Sequence, residues 1–145
     1  MLRKIEMTKR LVLTVLPPYI FLVIASTILS RSVNNDMRFI LKPFWSITTI
    51  LSSGHNKIWL VKEVALNIIM LLPVGLLAPV LFEKRRLAKT LFVGIVLSVT
   101  IELIQLITHR GFAEIDDIIY NSFGVLIGLG INITLKECIS RLEND

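Results

Sequence analysis

The chain has 145 residues, 54% of them hydrophobic, and a formal net charge of +5 at pH 7. A soluble domain of this length has too little interior to hide so much apolar surface, so the composition excludes an ordinary soluble globular protein and indicates a lipid environment. The basic residues stand in short groups beside apolar runs, which is typical of membrane proteins and argues against nucleic-acid binding.

Four apolar runs follow one another along the chain. Each approaches the roughly 20 residues that cross about 30 Å of hydrocarbon. We therefore predict an all-α polytopic membrane protein, folded as a bundle of four transmembrane helices in one domain over residues 1–145. The runs lie at residues 11–29, 64–82, 87–107 and 118–135.

The first apolar run follows a basic segment, as the apolar part of a signal peptide would. It is longer than the roughly 7 to 15 residues of such a segment, and no convincing cleavage site follows it. We therefore predict a retained span. Pro17 and Pro18 remove two helix hydrogen bonds, so we expect a kink there.

The first loop, residues 30–63, contains the apolar stretch MRFILKPFWSITTILSS. The aromatic residues Phe44, Trp45 and Trp59 of this loop are suited to the headgroup level of a bilayer. The stretch therefore predicts an extra segment in this loop. An interfacial position and a re-entrant position both remain open.

Lysine and arginine residues flank the spans unevenly. They precede the first span, fill the second loop and follow the fourth span, whereas the third loop has only Arg110. By the positive-inside rule, both termini and the second loop are predicted to be cytoplasmic. The first loop also holds basic residues, but long loops count for less in this rule.

Polar residues of the last three spans converge toward the outer leaflet in this topology. An ionised side chain facing lipid costs about 2.5 to 3.5 kcal/mol, so these groups are expected to face the bundle interior and pair with one another. Arg110, in the loop just above, is a candidate partner for Glu102. Helical spacing aligns Glu102, Gln105 and His109 on the third span, Asp117 and Asn121 on the fourth, and Glu63 and Asn67 on the second.

Structural roles remain open for several of these positions. Buried amides also hold helices together, and Gly124 and Gly128 form a GxxxG packing motif. Asp116 and Asp117 have the position of residues that cap the fourth helix. For Glu102 a functional role is favoured, because a glutamine would form similar hydrogen bonds without burying a charge.

Three segments, EVALNIIMLLPVGLLAP, IELIQL and RGFAEIDDIIYNSFGVLIG, resemble the VanZ-like family of bacterial multi-pass membrane proteins. The resemblance is clearest over residues 63–130, and the first loop fits less well, with Lys42 in place of a small apolar residue. It implies a bacterial cell membrane and a link to resistance against glycopeptide antibiotics, in particular teicoplanin, whose lipid tail sits in the outer leaflet. It implies no reaction.

The leading hypothesis is a non-enzymatic protein that engages an amphiphile, either a lipoglycopeptide antibiotic or a cell-envelope lipid, in an outer-leaflet polar pocket. The expected partners are therefore membrane lipids or such an antibiotic. Arg110 would hold an anionic head group and Glu102 would position Arg110 or receive a cationic group. The predicted ligand-binding residues are Glu63, Asn67, Glu102, Gln105, Arg110, Asp117 and Asn121.

The alternative is an intramembrane enzyme that modifies an envelope lipid or its head group. Glu102 and Asp117 would then be the acid and the base. A proton or ion pathway ranks last, because the cytoplasmic halves of the spans offer few polar groups. His55, His109 and Cys138 lack the spacing of a zinc site, so we expect no metal and no cofactor.

Overall fold

A computed structural model of the protein describes residues 2–31, 33, 39–52, 57–82 and 84–143. Four of its helices are long and apolar enough to cross a membrane. The predicted four-helix membrane bundle is therefore confirmed. In chain order the elements are α1 Leu2–Ser30, β1 Phe39–Ile40, α2 Trp45–Ser52, α3 Ile58–Leu77 with a 3-10 turn at Ala78–Leu81, α4 Arg86–Ile107, β2 Ala113–Glu114 and α5 Ile115–Leu142.

Helix α1 runs from Leu2 to Ser30 and continues through Pro17 and Pro18. Its apolar side chains Val12, Leu16 and Val23 are buried in the core. The hydroxyl of Tyr19 on α1 donates to the carbonyl of Met70 on α3 over 2.8 Å. This bond links α1 to α3 near the middle of the bundle.

Helices α3 and α5 form the closest helix pair, and glycines make this approach feasible. A Cβ atom added to Gly124 would lie 2.0 Å from the carbonyl oxygen of Ile68, and one added to Gly128 would lie 2.1 Å from that of Leu72. Gly75 on α3 faces the backbone of Val125 in the same way. The predicted packing role of the GxxxG motif is therefore confirmed, with α3 as the partner.

The first and third loops meet at one end of the bundle, which we call the loop end. Strands β1 and β2 pair in parallel there, with Phe39 opposite Ala113 and Ile40 opposite Glu114. Val33 and Arg110 form an isolated antiparallel bridge beside them. The two loops are therefore joined by backbone hydrogen bonds, in a short sheet that apolar periodicity did not predict.

Helix α2 occupies the part of the first loop where an extra segment was predicted. It packs against α3 and leaves apolar side chains on its outside, with Ile47 38% and Leu51 80% exposed. Parts of the predicted segment, residues 37–38 and 53, lie outside the described residues, as does His55. The choice between an interfacial and a re-entrant position stays a prediction.

Candidate functional site

Arg31, immediately after α1, lies at the centre of a charged cluster at the loop end. Its Nη2 atom is 2.8 Å from Oδ2 of Asp117 on α5 and 3.5 Å from Oε1 of Glu63 on α3. The Asp117 side chain is only 4% exposed, whereas that of Glu63 is 31% exposed. One guanidinium therefore connects three helices through two carboxylates of different accessibility.

Asp117 has two further partners. Its Oδ1 accepts a hydrogen bond from the side-chain amide of Asn67, and the carboxyl group of Glu102 on α4 lies beside its own. Two ionised carboxylates this close repel each other, and sharing one proton relieves that repulsion. The result is a buried carboxyl pair beside Arg31.

Glu114 lies just outside the membrane-spanning part of α5 and extends this cluster. Its backbone N–H donates to Glu102 over 2.9 Å, and its Oε2 accepts from the indole N–H of Trp45 over 3.0 Å. Burial, together with the negative charges of Asp117 and Glu63, raises the pKa of Glu114 to about 7. The first loop is thereby coupled to the carboxyl pair through Trp45.

Asp116 is fully buried, and it caps a different helix from the one predicted. Its carboxylate accepts from the backbone N–H of Ser46 over 2.9 Å, from the Ser46 hydroxyl over 2.8 Å and from the backbone N–H of Phe44. These donors belong to the start of α2, whereas the N-cap residue of α5 is Glu114. Asp116 therefore caps a helix, as predicted, but that helix is α2 and not the fourth span.

Arg110 was predicted to pair with Glu102, but its guanidinium points elsewhere. Its Nη1 donates to the carbonyl of Ile28 over 3.2 Å and to that of Arg31 over 3.5 Å. Arg110 thus satisfies carbonyl groups at the C-terminal end of α1, which lack helix partners. Arg31, and not Arg110, is the arginine beside the carboxyl pair.

The predicted amides occupy two different environments. Asn67 contacts Asp117 directly, whereas the Asn121 amide N–H donates to the Ser98 hydroxyl over 2.8 Å, one turn further along α5. The side-chain oxygens of Asn121 and Gln105 are buried and accept no hydrogen bond from the described residues. His109, predicted on the face of Glu102, lies beyond the end of α4 with a φ of 54°.

Sequence reasoning missed Arg31 as a site residue. Loop residues carry no helical periodicity, and Arg31 was counted only as one basic residue of a long loop. The available signal was its place directly after the first span, at the same depth as Glu63 and Asp117 on the predicted topology. The structure brings Glu63, Asn67, Glu102 and Asp117 together around it.

A cavity of about 670 Å³ opens between α1 and α3 and reaches this cluster. Its volume lies within the range of typical small-molecule sites, about 300 to 1,000 Å³. Polar side chains line one end, namely Arg31, Lys62, Glu63 and Asn67. Beyond Ser26 and Thr27, the lining further along the helices is apolar or aromatic and includes Tyr19, Val23, Leu66 and Met70.

The sequence model of the VanZ/LLP1 family matches residues 12–136, which is most of the chain. The protein belongs to the VanZ/LLP1 family. The match includes most of α1 and Arg31, and so extends beyond the residues on which the sequence resemblance was clearest. Neither a curated protein nor a solved structure matches this VanZ/LLP1 chain.

Proposed function

We propose that this VanZ/LLP1 family protein binds an amphiphile of the outer leaflet in the cavity between α1 and α3. The amphiphile is a lipoglycopeptide antibiotic or a cell-envelope lipid, and its capture contributes to low-level resistance to teicoplanin and related glycopeptides. The observation that carries the proposal is the two-ended lining of the cavity, charged near Arg31 and apolar toward Tyr19.

The dimensions of the cavity suit an amphiphile. Tyr19 lies 12 residues before Arg31 on the same chain segment, which corresponds to about 18 Å along a helix. Over this length the lining changes from charged to apolar side chains. A head group at Arg31 and Lys62 and an acyl chain along Leu66 and Met70 would each meet a matching environment.

In this proposal, the Glu102–Asp117 pair positions the residues at the end of the cavity that binds the head group. Asp117 orients the Arg31 guanidinium, and Asn67 both lines the cavity and donates to Asp117. Glu102 holds Asp117 from the α4 side. Arg110, Gln105 and Asn121 then act indirectly, through the end of α1 and the packing of α4 on α5. In this proposal the loop end faces outward, as the positive-inside rule predicts.

An intramembrane enzyme is the second candidate, and the Glu102–Asp117 pair favours it. A proton held between two carboxyl groups can be passed to a substrate and recovered, which is the requirement for general acid and base catalysis. Asn67 connects the pair to the cavity. In this alternative, Glu102 and Asp117 modify the head group that the first proposal only binds.

Teicoplanin susceptibility tests the binding proposal. We expect expression of the wild-type protein in a sensitive Gram-positive host to raise the inhibitory concentration of teicoplanin, and Arg31→Gln to abolish this protection. Arg141→Gln is the matched control, because Arg141 is exposed near the end of α5. Membrane levels are equalised by immunoblot. Equal protection by Arg31→Gln, or none by the wild type, would contradict the proposal.

Glu102→Gln separates the two candidates. Glutamine can still donate a hydrogen bond to Asp117, but it cannot transfer a proton. A binding protein should therefore keep most of its protection with this substitution, whereas an enzyme should lose it. Retention of a bound amphiphile by purified Glu102→Gln, measured by mass spectrometry of the extracted lipid, checks that the cavity still forms.

A further inference from the structure

The cluster around Arg31 contains more carboxyl groups than cationic groups. Glu63, Glu102, Glu114 and Asp117 converge on one guanidinium, and the ion pairs among the described residues here both involve Arg31. Even when Lys62, which lines the same end of the cavity, is counted beside Arg31, the four carboxyl groups outnumber the cationic groups.

The pKa values of two groups outside the spans, Arg31 and Glu114, reflect this excess of carboxyl groups. Burial lowers the pKa of Arg31, but the charges of Asp117, Glu102 and Glu63 outweigh burial and leave that pKa above its ordinary value. Burial and the charges of Asp117 and Glu63 raise the pKa of Glu114 to about 7. The local field therefore favours a cation beside these carboxyl groups.

Hydrogen-bond acceptors are in surplus as well. The side-chain oxygens of Gln105 and Asn121 are buried, each in a residue only 1% exposed, and receive no donor from the described part of the chain. Gln105 follows Glu102 by three positions on α4, and Asn121 follows Asp117 by four on α5. Both oxygens therefore belong to the helix faces that carry the carboxyl pair.

The cavity wall also has an aromatic surface that accepts a cation. Trp59 lines the cavity and is 53% exposed, and the Lys57 Nζ atom lies 5.8 Å from the centre of its ring. An ammonium group is therefore already held against this ring system. Glu63, the most accessible carboxylate of the Arg31 ion pairs, lines the same cavity.

From these observations we propose that the bound amphiphile carries a primary ammonium in its head group, and that this ammonium pairs with Glu63. The inference rests on the proposed function. An ammonium has three hydrogen-bond donors, no acceptor and one positive charge, which complements a cluster in which carboxyl groups outnumber cationic groups. Lys62, at the same end of the cavity, accommodates the phosphate or carboxylate that accompanies the amine.

Binding to purified protein in a nonionic detergent tests the inference with four probes. Dioleoylphosphatidylethanolamine is compared with dioleoylphosphatidylglycerol, which has the same chains but no amine. Teicoplanin is compared with its N-acetylated form. We expect each amine-bearing probe that binds to do so at least about tenfold more tightly than its partner, as one charged hydrogen bond contributes.

The two pairs of probes distinguish the sources of the amine. A preference within the phospholipid pair indicates an envelope lipid, and one within the antibiotic pair indicates a glycopeptide. Either preference supports the inference. Glu63→Gln should remove the preference, whereas Glu6→Gln, on the exposed surface of α1, should leave the preference intact.

Two results would overturn the inference in different ways. Tight binding of probes with no preference for the amine would contradict the ammonium site and leave the proposed function standing. Failure of all four probes to bind the wild-type protein would contradict the proposed function and the inference together. Neither comparison depends on whether Glu63→Gln folds.

Discussion

At the scale of single residues, Gly111 decides where the Arg31 side chain can lie. Gly111 has a φ of 102°, which side-chain-bearing residues rarely adopt, and a Cβ atom there would lie 2.7 Å from both Cδ and Nη1 of Arg31. The third loop thus leaves a space that the guanidinium fills. The ion pair with Asp117 depends on a residue that bears no charge.

Gly111→Ala is expected to destabilise the protein by about 1 to 3 kcal/mol, because it combines backbone strain with a clash against Arg31. Thermal unfolding in detergent measures the loss. In an Arg31→Ala background the clash is absent and only the backbone strain remains, so the same substitution should cost less. Equal losses in both backgrounds would show that Gly111 does not act through Arg31.

Glu114 predicts a dependence of stability on pH. Its pKa of about 7 in the folded protein lies above the ordinary value of 4.5, so the folded state holds the proton more tightly than the unfolded state. The resulting stabilisation is complete below pH 4.5 and is lost as the pH rises through about 7. Its size is at most about 3 kcal/mol.

We expect the melting temperature of the wild type to fall between pH 5 and pH 8 by more than that of Glu114→Gln, as unfolding scans at fixed ionic strength will show. Other carboxyl groups titrate in both proteins, so the difference between the two curves isolates Glu114. Parallel curves would mean that Glu114 keeps its ordinary pKa. A matched exposed control is Glu137→Gln on α5.

At the scale of elements, the contact between α3 and α5 positions the site. Glu63 and Asn67 are on α3 and Asp117 is on α5, so the spacing of these helices sets the distances within the cluster. The glycines at their contact fix that spacing. A change in the packing of α3 against α5 is therefore expected to change the distances within the Arg31 cluster.

Gly124→Ala should separate α3 from α5, because its Cβ would lie 2.0 Å from a backbone oxygen of Ile68. We expect a loss of about 1 to 3 kcal/mol in thermal unfolding, and a weaker Asn67–Asp117 contact. Gly130→Ala is the control on the same helix, since its Cβ meets nothing within 4 Å. Gly130→Ala should be neutral or slightly stabilising. Similar losses for both would contradict the packing role.

At the scale of the whole molecule, orientation in the membrane remains a prediction. Cys138 is the single cysteine and is exposed on α5, toward the end opposite the loop end. A membrane-impermeant maleimide should therefore label it only after the cells are permeabilised. Thr108→Cys in a Cys138→Ser background, at the loop end, should be labelled in intact cells. The reverse pattern would place the candidate site in the cytoplasm and contradict the outer-leaflet proposal.

The spans were predictable because length and hydropathy determine which segments cross a bilayer, and helical spacing placed Glu102 and Asp117 on inward faces. The partners of those residues were not predictable. Arg31 contacts Asp117 across 86 positions of sequence, and Asp116 caps α2 across 70. Contacts of this kind depend on how loops return to the bundle, and periodicity within one segment carries no information about that.

The parallel pairing of β1 with β2 also has a consequence for biogenesis. Phe39 pairs with Ala113, so the first loop has no strand partner until the third loop has been synthesised. Chains are made from the N terminus, and α1 is inserted well before α4 and α5. Arg31 therefore spends the interval without Asp117, and the cluster around Arg31 is completed only after α5 has been made.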